Sequence, residues 1–403
     1  VKLKKLFIQN IRNIDELILD CESGVHYIHG QNAQGKTSIL ESIYLLSNLR
    51  SFRDPDTATL LKSGTHQGKV LGQFEIIPGM VAELKVELEQ GQNRFEKRAY
   101  INQKLAKSAI SYFEIKNNSS PLQFHAITLN PTSTDLVRQD PAFRRNYLNQ
   151  VISSQDSQYM DLLKRYNKTI DQKNALLKQE YGLDEALLGI LNEKLGQDGA
   201  QIVHKRLVYL DKIAPRLSAY LEQFAPDQAI VEIGYFSKCF EGQFKAEEDA
   251  QMMYFNGQFG IPSVNLLTEL HHQQQARFMV TERYRRSCLL GPHRDDFVLK
   301  MNSNHSIQKS SKRNLVEVGS QGEVRSVLLG LKLAELDEFQ TATGVQPVLL
   351  IDDFSSELDR TRRGFLLEYL KDSILQIFVT STEKLETSGR LFRIGAGKIQ
   401  IES

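Results

Sequence analysis

The sequence predicts an α/β fold, with one sheet-and-helix core built from both ends of the chain and a mainly helical lobe inserted between them. Three observations predict it. A short apolar run, Val25-His26-Tyr27-Ile28-His29, leads through a glycine-bearing loop into a helical pattern at Ile39, Leu40, Ile43, Tyr44 and Leu46. Two more apolar runs, residues 348–351 and 374–380, flank a helical stretch near the other end, as buried parallel strands do. Between these ends, residues 143–226 read as helical and heavily charged.

The remaining elements follow from local pattern. The first hundred residues read as strands around one helix. Leu84, Val86 and Leu88 alternate with polar residues, as in a half-buried strand, and residues 67–77 and 94–103 are its expected partners. Asn117-Asn118-Ser119-Ser120-Pro121 has linker composition. Leu162, Leu163, Tyr166, Ile170, Leu176 and Leu177 keep near-helical spacing, and residues 179–184, with Gly182, turn that helix into the next. A strand is expected at 230–236, a helix at 264–286, a strand at 297–299 and a helix at 322–339. The expected division is 1–115 and 290–403 for the core and 116–289 for the inserted lobe.

Composition narrows the classes. A chain of 403 residues has room for two or three domains. Lys plus Arg is 50 against 49 Asp plus Glu, so a uniformly basic nucleic-acid coat is excluded and any such binding must use local patches. The apolar runs fall far short of the ~18 residues of a membrane span. Leu6-Phe7-Ile8 stops at Gln9, too short for the ~7–15 residue core of a signal peptide. Cys21, Cys239 and Cys288 lie far apart with no CxxC, which argues against a disulfide framework and a zinc site, so they read as buried fillers. The expected location is cytoplasmic, without a membrane partner.

Gly30-Gln31-Asn32-Ala33-Gln34-Gly35-Lys36-Thr37, followed by Ser38, matches G-x-x-x-x-G-K-[ST] between a predicted strand and helix. Glycines let successive N–H groups turn towards phosphate oxygens. Lys36 would reach the β- and γ-phosphates, the Thr37 hydroxyl would ligate Mg²⁺, and the helix would aim its positive end at the anion. The expected cofactors are ATP and Mg²⁺. Far along the chain, Val348-Leu349-Leu350-Ile351-Asp352-Asp353 is an apolar strand ending in two acids. One acid there often only caps a helix. Paired with a phosphate loop, Asp352 is expected to hold the metal and Asp353 to orient or deprotonate the attacking water. The 316 positions between Lys36 and Asp352 call for an insertion within the site, which the helical middle supplies.

Ser320-Gln321-Gly322-Glu323 opens the 322–339 helix. As S-x-x-E it is a capping box. Its place before the acidic strand also matches the order of an ABC-type signature helix, in which Ser320, the Gly322 N–H and Glu323 would face the γ-phosphate of a second copy. Ser355-Ser356-Glu357-Leu358-Asp359 then stands where such enzymes carry a loop across the dimer interface. Thr380-Ser381-Thr382 ends the next strand, where many of them carry a histidine.

These motifs, with Asn130-Pro131 through Asp135-Leu136, Arg144-Arg145-Asn146-Tyr147-Leu148 and Gly291-Pro292-His293-Arg294-Asp295-Asp296, closely resemble the RecF family, whose core is similar to SMC-type ABC ATPase heads. They extend over nearly the whole chain in the family's order. Departures fall at Ile11, Asn149, Arg286 and Cys288, away from the phosphate chemistry. The resemblance implies slow ATP hydrolysis used as a switch and an ATP-dependent homodimer. It also implies binding to double-stranded or gapped DNA, and work with RecR and RecO in loading RecA during DNA repair, recombination, replication restart and the SOS response. The middle segment has room for a short helical lobe and not for long coiled-coil arms. Candidate DNA contacts are Arg50 and Arg53, Arg144 and Arg145, Lys164 with Arg165 and Lys168, and Arg283, Arg285 and Arg286, each weighed against a merely solvated face. His293, in a Gly-Pro turn beside Arg294 and two aspartates, fits a structural post as well as a base.

Overall fold

The computed structural model describes the chain apart from residues 55, 92–93, 115–123, 131–134, 180–181, 226–230, 241–251, 256–259, 302–312, 316–318, 354–359, 373–374, 385–388, 396 and 403. In chain order the strands are β1 (Lys2–Ile11), β2 (Ile14–Asp20), β3 (Val25–His29), β4 (Gln67–Ile77), β5 (Met80–Gln90), β6 (Phe95–Ile101), β7 (Lys104–Leu105), β8 (Ala126–Leu129), β9 (Val231–Phe236), β10 (Met252–Phe255), β11 (Asp296–Met301), β12 (Arg313–Asn314), β13 (Val348–Ile351), β14 (Ile377–Ser381), β15 (Arg390–Gly395) and β16 (Lys398–Glu402). The α-helices are α1 (Lys36–Asn48), α2 (Ala109–Glu114), α3 (Asp135–Arg138), α4 (Pro141–Gln155), α5 (Ser157–Leu177), α6 (Glu185–Phe224), α7 (Val264–Arg285), α8 (Gln321–Thr343) and α9 (Arg360–Asp372).

Two compact units emerge, Val1–Ser133 with Leu336–Ser403, and Thr134–Glu335. Against the expected division at 115 and 290, the core gains the segment carrying β8 and the middle keeps the segment through Glu335. Strand pairing supplies the reason. β8 lies beside β13 in parallel register, Val348 opposite Ala126 and Ile351 opposite Leu129. β11 pairs with β9 from Asp296 opposite Phe236 to Met301 opposite Val231. Both partnerships are long-range and leave no mark on local pattern.

The first unit holds two six-stranded sheets, ordered β2-β1-β4-β5-β6-β7 and β16-β15-β3-β14-β13-β8. The first is antiparallel, and the expected pairing of 67–77 and 94–103 with the 84–88 strand is what forms. In the second, β15, β3, β14, β13 and β8 run parallel. α1 packs against strands of both sheets, so it is buried on nearly every side. Ile39, Leu40, Ile43, Leu45 and Leu46 are all fully buried, each contributing roughly 1.5–3 kcal/mol. Its buried polar atoms find partners: the Ser42 hydroxyl donates to the Ser38 carbonyl at 2.8 Å, and the Ala126 N–H donates to Ser47 Oγ at 2.8 Å.

The second unit combines helices α3 to α7 with the sheet β10-β9-β11-β12. Three of its helices begin where a side chain satisfies a first-turn amide. Asp156 caps α5 by accepting from the Tyr159 N–H, Asp184 caps α6 from Leu187, and Ser263 caps α7 from Leu266. The expected turn at 179–184 thus closes on a capping aspartate. Among the described residues no helix is long and apolar enough to cross a membrane.

Candidate functional site

β3 and β13 do not touch. β14 lies between them, with Ser381 opposite His29 and Val379 opposite Ile351, so all three strands end at one edge of the sheet. The loop after β3 and the acids after β13 therefore emerge together at the carboxyl end of parallel strands, where open α/β sheets bind ligands.

At Gly30 an added Cβ would collide with the Ile394 carbonyl oxygen, and at Gly35 φ is +108°, so both glycines of the motif are sterically required. Ser381 accepts the Gly30 N–H at 3.3 Å. Asn13, in the turn between β1 and β2, holds the loop from the other side. Its amide donates to the Ala33 carbonyl at 2.7 Å and its carbonyl accepts from the Ser38 hydroxyl at 3.0 Å. α1 begins at Lys36 with no side-chain cap and no acid in its first turn. Its N–H dipoles are thus left for an anion, and the loop fits a nucleotide's phosphates. Lys36 is buried and donates to the carbonyls of Gly30 at 2.6 Å and Gln31 at 2.9 Å. Burial lowers its pKa, while the charges of Asp353 and Asp352 oppose that shift.

Asp352 Oδ1 accepts two hydroxyls, from Thr37 at 2.9 Å and from Thr380 at 2.7 Å. Burial raises the Asp352 pKa and Asp353 adds to the rise, whereas the Thr380 and Thr37 bonds and the Arg53 charge oppose it. Asp353 sits at φ +52°, a left-handed turn, with its N–H donating to Thr380 Oγ1 at 2.9 Å. Thr37 and Asp352 are hard oxygen donors already in contact, and the side-chain hydrogen-bond donors to Asp352 are neutral hydroxyls. That set fits Mg²⁺.

Two features escaped the sequence reading. Glu41 is fully buried on α1 and takes Arg12 in a bidentate pair at 2.9 and 3.1 Å, with the Ser51 hydroxyl at 2.5 Å. Arg12 also donates to the Thr59 carbonyl at 2.8 Å. A glutamate inside an otherwise apolar helix was the signal, since a buried carboxylate demands a cation. The second is the placement of Arg53, which the sequence offered only as a DNA contact. It stands 3.8 Å from Glu41, half exposed, and its charge helps to lower the raised pKa of Asp352.

The other predicted residues are distributed as follows. Ser320 and Glu323 form the reciprocal capping box: the Ser320 N–H donates to Glu323 Oε2 at 2.7 Å and the Glu323 N–H to Ser320 Oγ at 3.2 Å. They and Gly322 belong to the second unit, whereas the phosphate loop belongs to the first. Residues 355–359, with Asp359, lie outside the described residues. Arg50 is half-buried at the end of α1, where its charge, after burial, lowers the pKa of Lys97. Arg144 is engaged in a bidentate pair with Asp296 at 2.7 and 2.8 Å, and Arg145 donates to the Asp295 carbonyl at 2.9 Å. Arg165 pairs with Asp198 yet keeps 59% of its side chain exposed, beside exposed Lys164 and Lys168. Arg283 pairs with Glu185 at 2.7 Å, and Arg285 and Arg286 are exposed. His293 Nδ1 is 2.9 Å from the Tyr166 hydroxyl, and burial pushes its pKa down to about 4, which suits a post better than a base.

A phosphate loop and an acidic strand end meeting at the edge of a parallel sheet define a P-loop nucleotide-binding core, and the family match narrows it to an ABC-type ATPase head of the SMC kind. The family model described as RecF/RecN/SMC N terminal domain matches residues 2–396. The chain belongs to the RecF family. It is 29% identical over 407 residues to the DNA replication and repair protein RecF of Geotalea daltonii, covering 99% of this chain and 100% of that one. Against RecF of Caldanaerobacter subterraneus subsp. tengcongensis the identity is 31% over 397 residues, with 96% of each covered. A solved RecF-ATP structure, described as a recombination mediator protein in the RecFOR pathway, superposes with a TM-score of 0.81 at 31% identity, covering 100% of this chain and 97% of that one. An Smc head domain from Pyrococcus furiosus, at 12% identity and a TM-score of 0.54 over 99% of this chain and 95% of that one, shares the fold.

Proposed function

We propose that this chain is an ATP-dependent DNA-binding clamp of recombinational repair and replication restart, using slow ATP hydrolysis as a switch. One observation carries the reading: Thr37 and Asp352, 315 positions apart, meet at 2.9 Å beside an uncapped helix start, in a chain that matches RecF proteins end to end. Residues Gly30 to Ser38 wrap the phosphates, with Lys36 neutralising the β- and γ-oxygens. Thr37 and Asp352 would hold Mg²⁺, which when bound stabilises charge on the transferring phosphoryl group. Asp353 orients the attacking water and takes its proton. Ser320, Gly322 and Glu323 of a second copy complete the site, with Asp359 at the same interface, so that ATP joins two copies over DNA and hydrolysis releases them.

The ligand is double-stranded or gapped DNA, and the partners are RecR with RecO and, through them, RecA, in the cytoplasm. The exposed cluster Lys164, Arg165 and Lys168 offers phosphate contacts. Arg144 and Arg145 are engaged with the 295–296 backbone and carboxylate, so they are weaker candidates. The test is Ser320→Arg. It should bind ATP as a monomer and lose ATP-dependent retention on duplex DNA, whereas Lys36→Ala should lose ATP affinity itself, by about 10- to 100-fold for a charged hydrogen-bonding group. A Ser320→Arg protein that still dimerises with ATP would overturn the shared-site reading.

A further inference from the structure

We infer that Thr380 is a positioning residue for nucleotide hydrolysis: its hydroxyl donates to Asp352, accepts the Asp353 N–H, and so sets the geometry of both acids at once. The inference rests on the nucleotide-site reading above. Thr380 is fully buried in β14, the strand between the loop-bearing β3 and the acid-bearing β13. A hydroxyl has one proton and two acceptor lone pairs. Here the proton is given to Asp352 Oδ1 at 2.7 Å, and one lone pair takes the Asp353 amide at 2.9 Å. With its only proton committed and no surface exposed, Thr380 cannot report on a γ-phosphate as the histidine of related enzymes does. It can only hold its neighbours.

What it holds needs holding. Asp353, at φ +52°, lies in the left-handed region, which aspartate enters more readily than most residues with a Cβ but which a local hydrogen bond still helps to fix. The bond to Thr380 fixes the peptide that enters that turn, and the turn aims the Asp353 carboxylate. On the Asp352 side, Thr37 and Thr380 share one carboxylate oxygen. When Thr37 turns its oxygen to a cation, Thr380 is the donor that keeps Asp352 in place. The following residue extends the tie, because the Ser381 carbonyl accepts the Gly30 N–H of the phosphate loop. Two consecutive residues of β14 thus link the loop to both acids.

The isosteric Thr380→Val removes the hydroxyl and keeps the shape, and Thr380→Ser keeps the hydroxyl. Titration of a fluorescent ATP analogue in EDTA should give the same affinity for both variants and for the parent, within about 3-fold, because the loop, Lys36 and the α1 amides are untouched. Partners that orient a metal ligand are worth about 10- to 100-fold in metal affinity or activity. Thr380→Val should therefore lose about that factor of the Mg²⁺-dependent gain in ATP affinity and of kcat, with KM for Mg-ATP rising in step with the lost affinity because hydrolysis is slow, and Thr380→Ser should recover most of both. Circular dichroism and a thermal melt establish that the valine variant is folded. A folded Thr380→Val with the parent's Mg²⁺ gain and kcat would overturn the inference, as would a loss of affinity that is equal in EDTA and Mg²⁺. A parent protein that fails to bind ATP at all would instead overturn the reading of the site.

Discussion

Two Asp-Asp pairs in this chain look alike in sequence and keep different partners. Asp352-Asp353 follows the end of parallel strand β13, and Asp295-Asp296 opens antiparallel strand β11. In the first pair the Asp352 side chain is met by two hydroxyls, those of Thr37 and Thr380. The second is tied to arginines, Asp296 directly and Asp295 through a tyrosine hydroxyl. Arg144 grips Asp296 in a bidentate pair, and fully buried Arg206 reaches Asp295 through the Tyr235 hydroxyl, which accepts from Arg206 at 3.1 Å and donates to Asp295 at 2.8 Å. Arg206 also donates to the Tyr159 hydroxyl, the Asn149 side-chain carbonyl and the Pro292 carbonyl. Asp352 is hydrogen-bonded by neutral hydroxyls alone, whereas Asp296 is neutralised by a bidentate arginine and Asp295 sits one hydroxyl away from another. A strand-end acid pair is thus identified as site or scaffold by its partners.

The largest expected contrast is catalytic. Asp353→Asn should cut single-turnover phosphate release by about 10²–10⁴-fold, the usual worth of a positioned base, with ATP still bound. Asp295→Asn should leave release per folded molecule within about 3-fold. Loss of turnover in a folded Asp295→Asn protein would erase the distinction between the pairs.

Removing a scaffold arginine reverses the pattern. Arg206→Ala leaves a buried acid network without its cation and should cost about 3–5 kcal/mol in urea unfolding. The surviving folded protein should bind ATP as the parent does. An unfolding midpoint equal to the parent's would show that the Asp295 network is dispensable.

A smaller effect depends on pH. Burial pushes Asp295 up to about 6 against the opposing pull of Arg206, Ser237, Tyr235 and Arg145. Its unfolded value is about 3.9, so the folded state binds the proton more tightly. The resulting stabilisation is complete below about pH 4 and is lost as pH rises through 6. Relative to Asp295→Asn, the parent should lose on the order of 2–3 kcal/mol over that window, at about 1.4 kcal/mol per unit. A constant difference between the two unfolding curves would contradict this. The smallest effect belongs to the exposed Arg165–Asp198 pair. Arg165→Ala should change stability by at most about 0.5 kcal/mol. If the cluster touches DNA, the same change lowers the salt slope of binding by about one phosphate contact.

Much of the site was legible because its signals are local. A phosphate loop has fixed spacing between strand and helix, an apolar strand ending in acids is visible in one line of sequence, and Ser320 with Glu323 forms the capping box its spacing predicts. What could not be read depends on strand order. Nothing near Thr380 reveals that β14 lies between β3 and β13, so its two bonds had no signature beyond a threonine at a strand end. Arg53 read as a candidate DNA contact, and only the fold brings its charge to bear on Asp352. The limits of the two units were hidden in the same way, because β8 and β11 belong with partners far along the chain.

The most direct test of the central claim is the solution mass of Asp353→Asn by light scattering, with and without Mg-ATP and in the presence of duplex DNA. The account predicts a monomer without nucleotide and a doubling of protein mass with Mg-ATP. A protein that binds ATP yet keeps a monomer's mass under every one of these conditions would contradict it.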